Sequence, residues 1–245
     1  MSAGAPPHTL TKLWTNLSIS LGANICSKDG FFDLSAIRSI TRQLGELASR
    51  GYHIAAVVGT GGAGKIPLEV ASHYENDRRE LDQVAMRVSR INAMVLIASL
   101  RSRSIPSFPL PLTRVEQLDG DWFLNPESGV IAVFGGLRPG LTSDSVAALV
   151  ARRLDCALVI VSTQGAIYSE DPRLTKAARP LKFVDRKYLR DLAAHPLPRH
   201  VLDVQTCRIL LGMEKGSEIV VTGYRNIADL VIGGKVPALH TRIKV

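Results

Sequence analysis

The apolar run HIAAVV at 53–58 reads as a strand, and it ends directly in GTGGAGK at 59–65, which leads into a helix-compatible stretch. Glycines free the backbone N–H groups of such a turn, and N–H groups pointed at a helix start form an anion cradle. The junction therefore predicts a strand, turn and helix unit that handles phosphate.

The rest of the chain supplies partners for that strand. Residues 17–25 (LSISLGANI) read as a strand breaking at Gly22, followed by a turn at Lys28–Gly30 and a helix from Asp33 to Arg50 with Asp33 as its cap. From Leu81 to Arg101 the apolar residues Val84, Val88, Ile91 and Val95 recur with helical spacing and predict a core helix. A proline-rich connector at 105–111 precedes an apolar run at Val130–Phe134, a glycine turn, a helix over Ser143–Leu154 and a strand at Ala157–Val161. Beyond Ser162 come a loop-rich stretch at 163–182, helices near 185–193 and 201–214, a strand at Glu218–Thr222 and a closing segment at 237–244. Strands alternating with helices in this way predict an α/β fold, a three-layer αβα sandwich with a largely parallel central sheet. Ligands on such sheets sit beyond the carboxyl ends of the strands, where the glycine-rich turns fall. Residues 1–12 are expected to be a flexible tail and residues 13–245 a single domain.

Composition narrows the ligand class. Thirty Lys and Arg against 22 Asp and Glu give a net charge of +8, so the surface attracts anions such as nucleotides or oxyanions. The basic residues form no long block and only 5% of residues are aromatic, so nucleic-acid binding is not expected. Cys26, Cys156 and Cys207 are far apart and lack CxxC spacing, which argues against disulfides or zinc and for a reducing, cytoplasmic setting. The start MSAGAPPHTL has no basic segment before an apolar core, and no run is long enough to cross a bilayer, so neither leader nor membrane span is expected. The histidines have no i, i+4 partner and no HExxH context, so no protein metal site is expected.

Gly59 through Gly64 with Lys65 nearly spells a Walker A loop, but Ile66 occupies the hydroxyl position that would hold magnesium, and Pro67 follows. Two further turns matter more: GGLRPGLTSDSVAA at 135–148 converges on Asp144, and STQGAIYSEDP at 162–172 follows the Ala157–Val161 strand. Together with RINAM at 90–94, these turns resemble the amino-acid kinase superfamily, and within it the archaeal-type uridylate kinases. The resemblance follows the family's order and spacing over 53–172 and is looser at both ends.

That resemblance implies ATP-dependent phosphoryl transfer to UMP or another small phosphorylated acceptor, with ATP and Mg2+ as cofactors. It implies an acceptor-side lobe over about 13–155 and a nucleotide-side lobe over about 156–245. Gly59, Thr60, Gly61 and Gly62 would floor the site where acceptor and donor phosphates meet. Lys65 would take the place of an acceptor-phosphate arginine. Asp82 would lie near the acceptor ribose, and Ser89, Arg90 and Asn92 would belong to the acceptor-side helix. Gly136, Thr142 and Ser143 would contact the acceptor phosphate, and Asp144 would order the positive groups around the transferring phosphoryl. Ser162, Thr163, Tyr168, Asp171 and Pro172 would frame ATP. The resemblance further implies a homo-oligomer, a hexamer built from dimers, or a hetero-oligomer with a paralogous subunit.

Departures gather at the active positions. Ser20 stands where the superfamily often carries a first-strand lysine, Gly62 replaces a lysine, and Gln164, Gly165 and Ala166 replace an expected VDG. Leu137 and Leu141 make the acceptor turn more apolar. Loss of charge-stabilising donors raises a barrier, so a diverged protein binding nucleotide or oxyanion is the alternative. HPLPRHVLDVQTCRIL at 195–210 is similar to the closing helix of the superfamily's molybdenum-storage branch. On the residues alone, Asp144 could equally cap a helix and Tyr168 with Asp171 could form an ordinary Asp-Pro turn.

Overall fold

Strand β1 (Asn16–Gly22) alternates Leu17, Ile19 and Leu21 with Ser18 and Ser20, and all five are buried. Its two faces therefore differ, one carrying apolar side chains and the other hydroxyls. The computed structural model describes residues 16–25, 32–118, 129–197, 200–233 and 237–245. The expected tail at 1–12, the turn at Lys28–Gly30 and Cys26 lie outside the described residues.

β1 sits inside a seven-stranded sheet with β2 (His53–Val58), β3 (Ile131–Phe134), β4 (Ala157–Val161), β5 (Phe183–Val184), β6 (Glu218–Thr222) and β7 (His240–Lys244), in the order β3-β2-β1-β4-β6-β7-β5. The first five strands of that order run parallel, and β7 pairs antiparallel with β6. Helices α1 (Leu34–Ser49), α3 (Arg78–Arg101) and α7 (Ile227–Ile232) pack on the face carrying Leu17, Ile19 and Leu21. Helices α4 (Ser143–Leu154), α5 (Arg186–Ala194) and α6 (Val204–Leu211) cover the other face. The expected three-layer αβα sandwich with a largely parallel sheet is what forms.

Local capping explains where the elements differ from their sequence expectation. Asp33 accepts from the Ala36 N–H and starts α1 as expected. α3 begins at Arg78, earlier than Leu81, because the Asp77 carboxylate accepts from the Arg79 N–H. The helix expected over 201–214 is shorter, since Asp203 caps it and Gly212 ends it. β1 stops at Gly22, whose φ is +54°, and residues 23–25 turn away instead of extending the strand. The two-residue β5 and six-residue α7 carry too little periodicity to be read from sequence. Helix α2 (Lys65–Ser72) follows the glycine loop and buries none of its residues. Among the described residues no helix is long and apolar enough to cross a membrane.

The sheet's connections reverse direction at β1, which has β2 on one side and β4 on the other. Asn24 fastens this reversal point, its amide donating to the Leu21 carbonyl at 2.6 Å and the Val161 carbonyl at 2.8 Å. Replacing Asn24 with Ala leaves both buried carbonyls without this donor, and we expect a loss of about 1–3 kcal/mol. The check is a urea titration in which the midpoint falls while the m-value is unchanged.

Candidate active site

Because β2, β3 and β4 are parallel, the turns that follow them leave the same rim of the sheet. The rim flanks the reversal point at β1, where an open α/β sheet forms its binding crevice. The Gly59 N–H donates to the Gly22 carbonyl at 2.8 Å, so the ends of β1 and β2 are joined. A Cβ at Gly59 would lie 2.9 Å from the Gly22 oxygen and 3.0 Å from Ser143 Oγ, so this close approach of two strand ends and α4 requires glycine. Asn92 on α3 donates to the carbonyls of Gly59 (2.9 Å) and Thr60 (2.8 Å), and the Thr60 hydroxyl donates to the Ala85 carbonyl. With the Gly59 N–H and two carbonyls already held, the N–H groups of Thr60 and Gly61 are left for a ligand.

The second turn is held by the same helix. Gly135 and Gly136 press on α3 so closely that added Cβ atoms would stand 2.8 Å from Arg90 Cα and 3.0 Å from Met86 Cα. The Gly136 N–H donates to Ser89 Oγ at 2.7 Å, Arg90 Nε donates to the Gly136 carbonyl at 3.0 Å, and the Gly140 N–H donates to Asp82 Oδ2 at 2.8 Å. Thr142 then caps α4, its hydroxyl accepting from the Ser145 N–H. Between the two turns lies a crevice of about 290 Å³. Gly59, Thr60 and Gly61 wall one side, Gly136, Thr142 and Ser143 the other, and Asp82, Ser89 and Arg138 also line it. Lys65 is exposed at the start of α2, and neither it nor Gly62 nor Arg90 lines the crevice.

Asp144 stands one residue behind Ser143, in the first turn of α4, and its Oδ1 accepts a 2.5 Å hydrogen bond from Ser20 Oγ. Burial pushes its carboxyl from the usual value near 3.9 up to about 6, the Ser20 bond pulls it down, and the negative charge of Asp203 adds to the rise. Asp203 was not singled out by sequence, beyond its place in the segment 195–210. It caps α6, accepting from the Thr206 N–H, and its carboxylate also accepts from the hydroxyls of Thr142 (2.6 Å) and Thr206 (2.5 Å). The acceptor-side turn is thereby tied to the helix layer of the chain's second half.

The third turn leaves the same rim but borders its own small recess. The Ser162 N–H donates to the Thr222 carbonyl, Ser162 Oγ accepts from the Gln164 N–H, and Gly165 adopts a φ of +75° against Leu239. Tyr168, Asp171, Gln164 and His200 line a recess of only about 30 Å³. Asp171 receives two hydrogen bonds from the Arg173 guanidinium, at 2.8 and 2.7 Å, and a third from the Arg173 backbone N–H at 3.0 Å. Thr163 is exposed. Burial pushes the thiols of Cys156 and Cys207 up to about 12, which leaves both as inert packing groups at neutral pH. Among the described residues no three His, Cys, Asp or Glu gather as a metal site.

The sequence profile of the amino acid kinase family matches residues 19–204. A uridylate kinase of Haloquadratum walsbyi is 34% identical over 155 residues, 63% of this chain and 61% of that relative, so the match spans about six-tenths of its length. A uridylate kinase of Pyrococcus abyssi is 32% identical over 210 residues, 83% of this chain and 89% of the relative. The crystal structure of uridylate kinase from Archaeoglobus fulgidus superposes with a TM-score of 0.74 over 93% of this chain and 98% of that one, at 21% identity, a likeness of fold.

The charge state of Asp144 can be read without any assay of turnover. A carboxyl whose pKa is raised on folding binds its proton more tightly in the native state, so stability declines as pH climbs from about 4 to about 6 and is level above. Asp144→Asn keeps an oxygen for Ser20 and sheds the charge. We expect it to exceed the wild type by up to about 3 kcal/mol at pH 7.5, with the gap closing by pH 4. Urea titrations of both proteins across that range check it; a variant less stable at pH 7.5 would reverse the sign.

Proposed function

Because this chain belongs to the amino acid kinase family, we propose that it transfers the γ-phosphoryl group of ATP to a nucleoside monophosphate of the UMP kind. The carrying observation is the crevice in which two glycine turns and the start of α4 converge; Ser143 lines it, and Asp144 lies one residue behind, off the lining. Sequence similarity to uridylate kinases over 83% of the chain supports the choice of acceptor.

In this reading the acceptor phosphate rests on the N–H groups of Thr60 and Gly61 and on the Ser143 hydroxyl, with Gly59 and Thr142 shaping the wall and the positive end of the α4 dipole behind them. An acceptor phosphate oxygen attacks the γ-phosphorus in line, the bond to the β,γ-bridging oxygen breaks, and ADP leaves. The protein's contribution is alignment and charge neutralisation, not covalent chemistry. Arg138 at the crevice wall supplies positive charge, Lys65 approaches from α2, and Asp144 orients these groups. Asp82 accepts from Gly140 through one oxygen and offers the other to the acceptor sugar.

ATP would be framed by Ser162, Thr163, Tyr168, Asp171 and Pro172. The recess beside Tyr168 is too small for a nucleotide base, so ATP entry would widen it. Mg2+ fits as a passenger on the triphosphate, because this ion commonly uses phosphate oxygens with one or two carboxylates. The reduced, uncharged cysteines suit a cytoplasmic enzyme. Apolar Ile66, Val70 and Tyr74 recur every four residues along α2 and beyond it, and with Ile91 and Met94 on α3 they lie exposed. That surface supports a homo-oligomer, such as a hexamer built from dimers.

Ser20 in the place of a lysine, with Asp144 raised toward 6, favours one second reading, a relative that binds nucleotide or oxyanion without turnover. A coupled assay of ADP release separates the two. UMP should stimulate release above the ATP-only rate, and more than CMP does. Arg138→Ala and Asp144→Asn should each lower kcat about a hundredfold or more. Nucleotide binding with no acceptor-dependent ADP release would reject the kinase reading.

The oligomer can be tested separately. Ile91→Glu with Met94→Glu should reduce the mass seen by light scattering to that of a smaller species, and an unchanged mass would move the interface elsewhere.

A further inference from the structure

A second cavity, of about 400 Å³, lies on the other side of the acceptor turn. Val115, Leu137, Leu141 and Leu149 give it an apolar floor, and each packs half-buried against the helix layer beneath. Its rim is basic: Arg114 comes from the connector after α3, Arg138 from the acceptor turn, and Arg152 and Arg153 from the last turn of α4. Glu116 is the one carboxylate on the lining, against four guanidinium groups. None of the four arginines has an ion-pair partner among the described residues.

The C-terminal dipole of α4 accounts for Arg152 and Arg153 by themselves. It does not account for Arg114 and Arg138, which arrive from two other segments at the same opening. Four like charges without an ion-pair partner among the described residues repel one another around one concave surface, and an anion relieves that repulsion. Guanidinium groups match phosphate oxygens through paired N–H donors. The volume falls within the range of small-molecule sites, and a mainly apolar lining with a few polar anchors is their usual chemistry.

We propose that this cavity binds a small phosphorylated molecule with an aromatic or apolar body, the phosphate held at the arginine rim and the body laid on the leucine floor. Arg138 and Leu141 line both this cavity and the crevice beside Asp144, so an occupant presses directly on the turn that receives the acceptor. That regulatory consequence rests on the kinase reading, whereas the binding itself does not.

Phenyl phosphate and inorganic phosphate are the probes, titrated calorimetrically into the full chain and soaked into crystals. Phenyl phosphate should bind at least about tenfold more tightly than inorganic phosphate, since only it covers the apolar floor. Arg152→Ala with Arg153→Ala, both on exposed side chains, should weaken it about tenfold or more. Leu149→Ser should weaken phenyl phosphate alone and narrow its advantage over inorganic phosphate. Electron density should appear beside Leu149 and Arg153. Density confined to the crevice at Gly59 and Ser143, or affinity unchanged in the arginine variant, would overturn the proposal. A chain without kinase turnover that still binds phenyl phosphate through these arginines would reject the kinase reading and uphold this one.

Discussion

The structure depends on how closely α4 lies on β1. Ser18 Oγ donates to the Ala147 carbonyl and Ser20 Oγ to Asp144, so two successive same-face residues of the strand engage α4 nearly one turn apart. The helix runs back along the strand from the rim, which puts its N-terminus, its partial positive charge and the hydroxyls of Thr142 and Ser143 at the reversal point of the sheet. A larger side chain at 18 would lift α4 away. Gly59, whose missing Cβ already lets Ser143 and Gly22 approach, would then no longer join the two strand ends to the helix.

Around that contact the supports are mostly side chains that do not face a ligand. Asn92, Ser89 and Arg90 spend their hydrogen bonds on the backbones of the two turns, which makes α3 a splint behind both. Asp203 does the corresponding work from the other side of the sheet by holding Thr142, Ser145 and Thr206 together. A movement of α6 is therefore felt at the cap of α4, a physical connection between the two halves of the chain that needs no hinge.

Much of this was legible in the sequence because it is local or periodic. The uncharged runs at 53–58, 130–134 and 157–161 announce a parallel sheet, and glycine turns behind them announce a binding rim. Asp33, and Asp144 at a helix start, follow from short-range preferences. What stayed hidden depends on contacts between distant residues. Asp203 was only one residue of the segment 195–210, and its link to Thr142 spans 61 positions. Ser20 was visible as a missing lysine, but its role as the donor to Asp144 belongs to the pairing of α4 with β1. Arg138 sits in the Pro-Gly bend, and only the folded turn sets it on the walls of two cavities. The limits of β5 and α7 were unreadable for a simpler reason, since elements so short owe their form to their neighbours.

Ser20 and Asp144 together explain why the site reads as both conserved in plan and altered in charge. A lysine at 20 would neutralise the carboxylate inside the fold and bring its own positive charge to the phosphoryl group. A serine supplies a hydrogen bond but no charge, so Asp144 remains a desolvated anion whose pKa is raised toward 6. A chain gains no stability from such a group, and a neutral residue would serve the fold better. The arrangement makes physical sense if the missing cation arrives with the ligand or swings in from the rim, as Arg138 is placed to do. On that view the charge balance of the site is completed when a cation-bearing nucleotide binds.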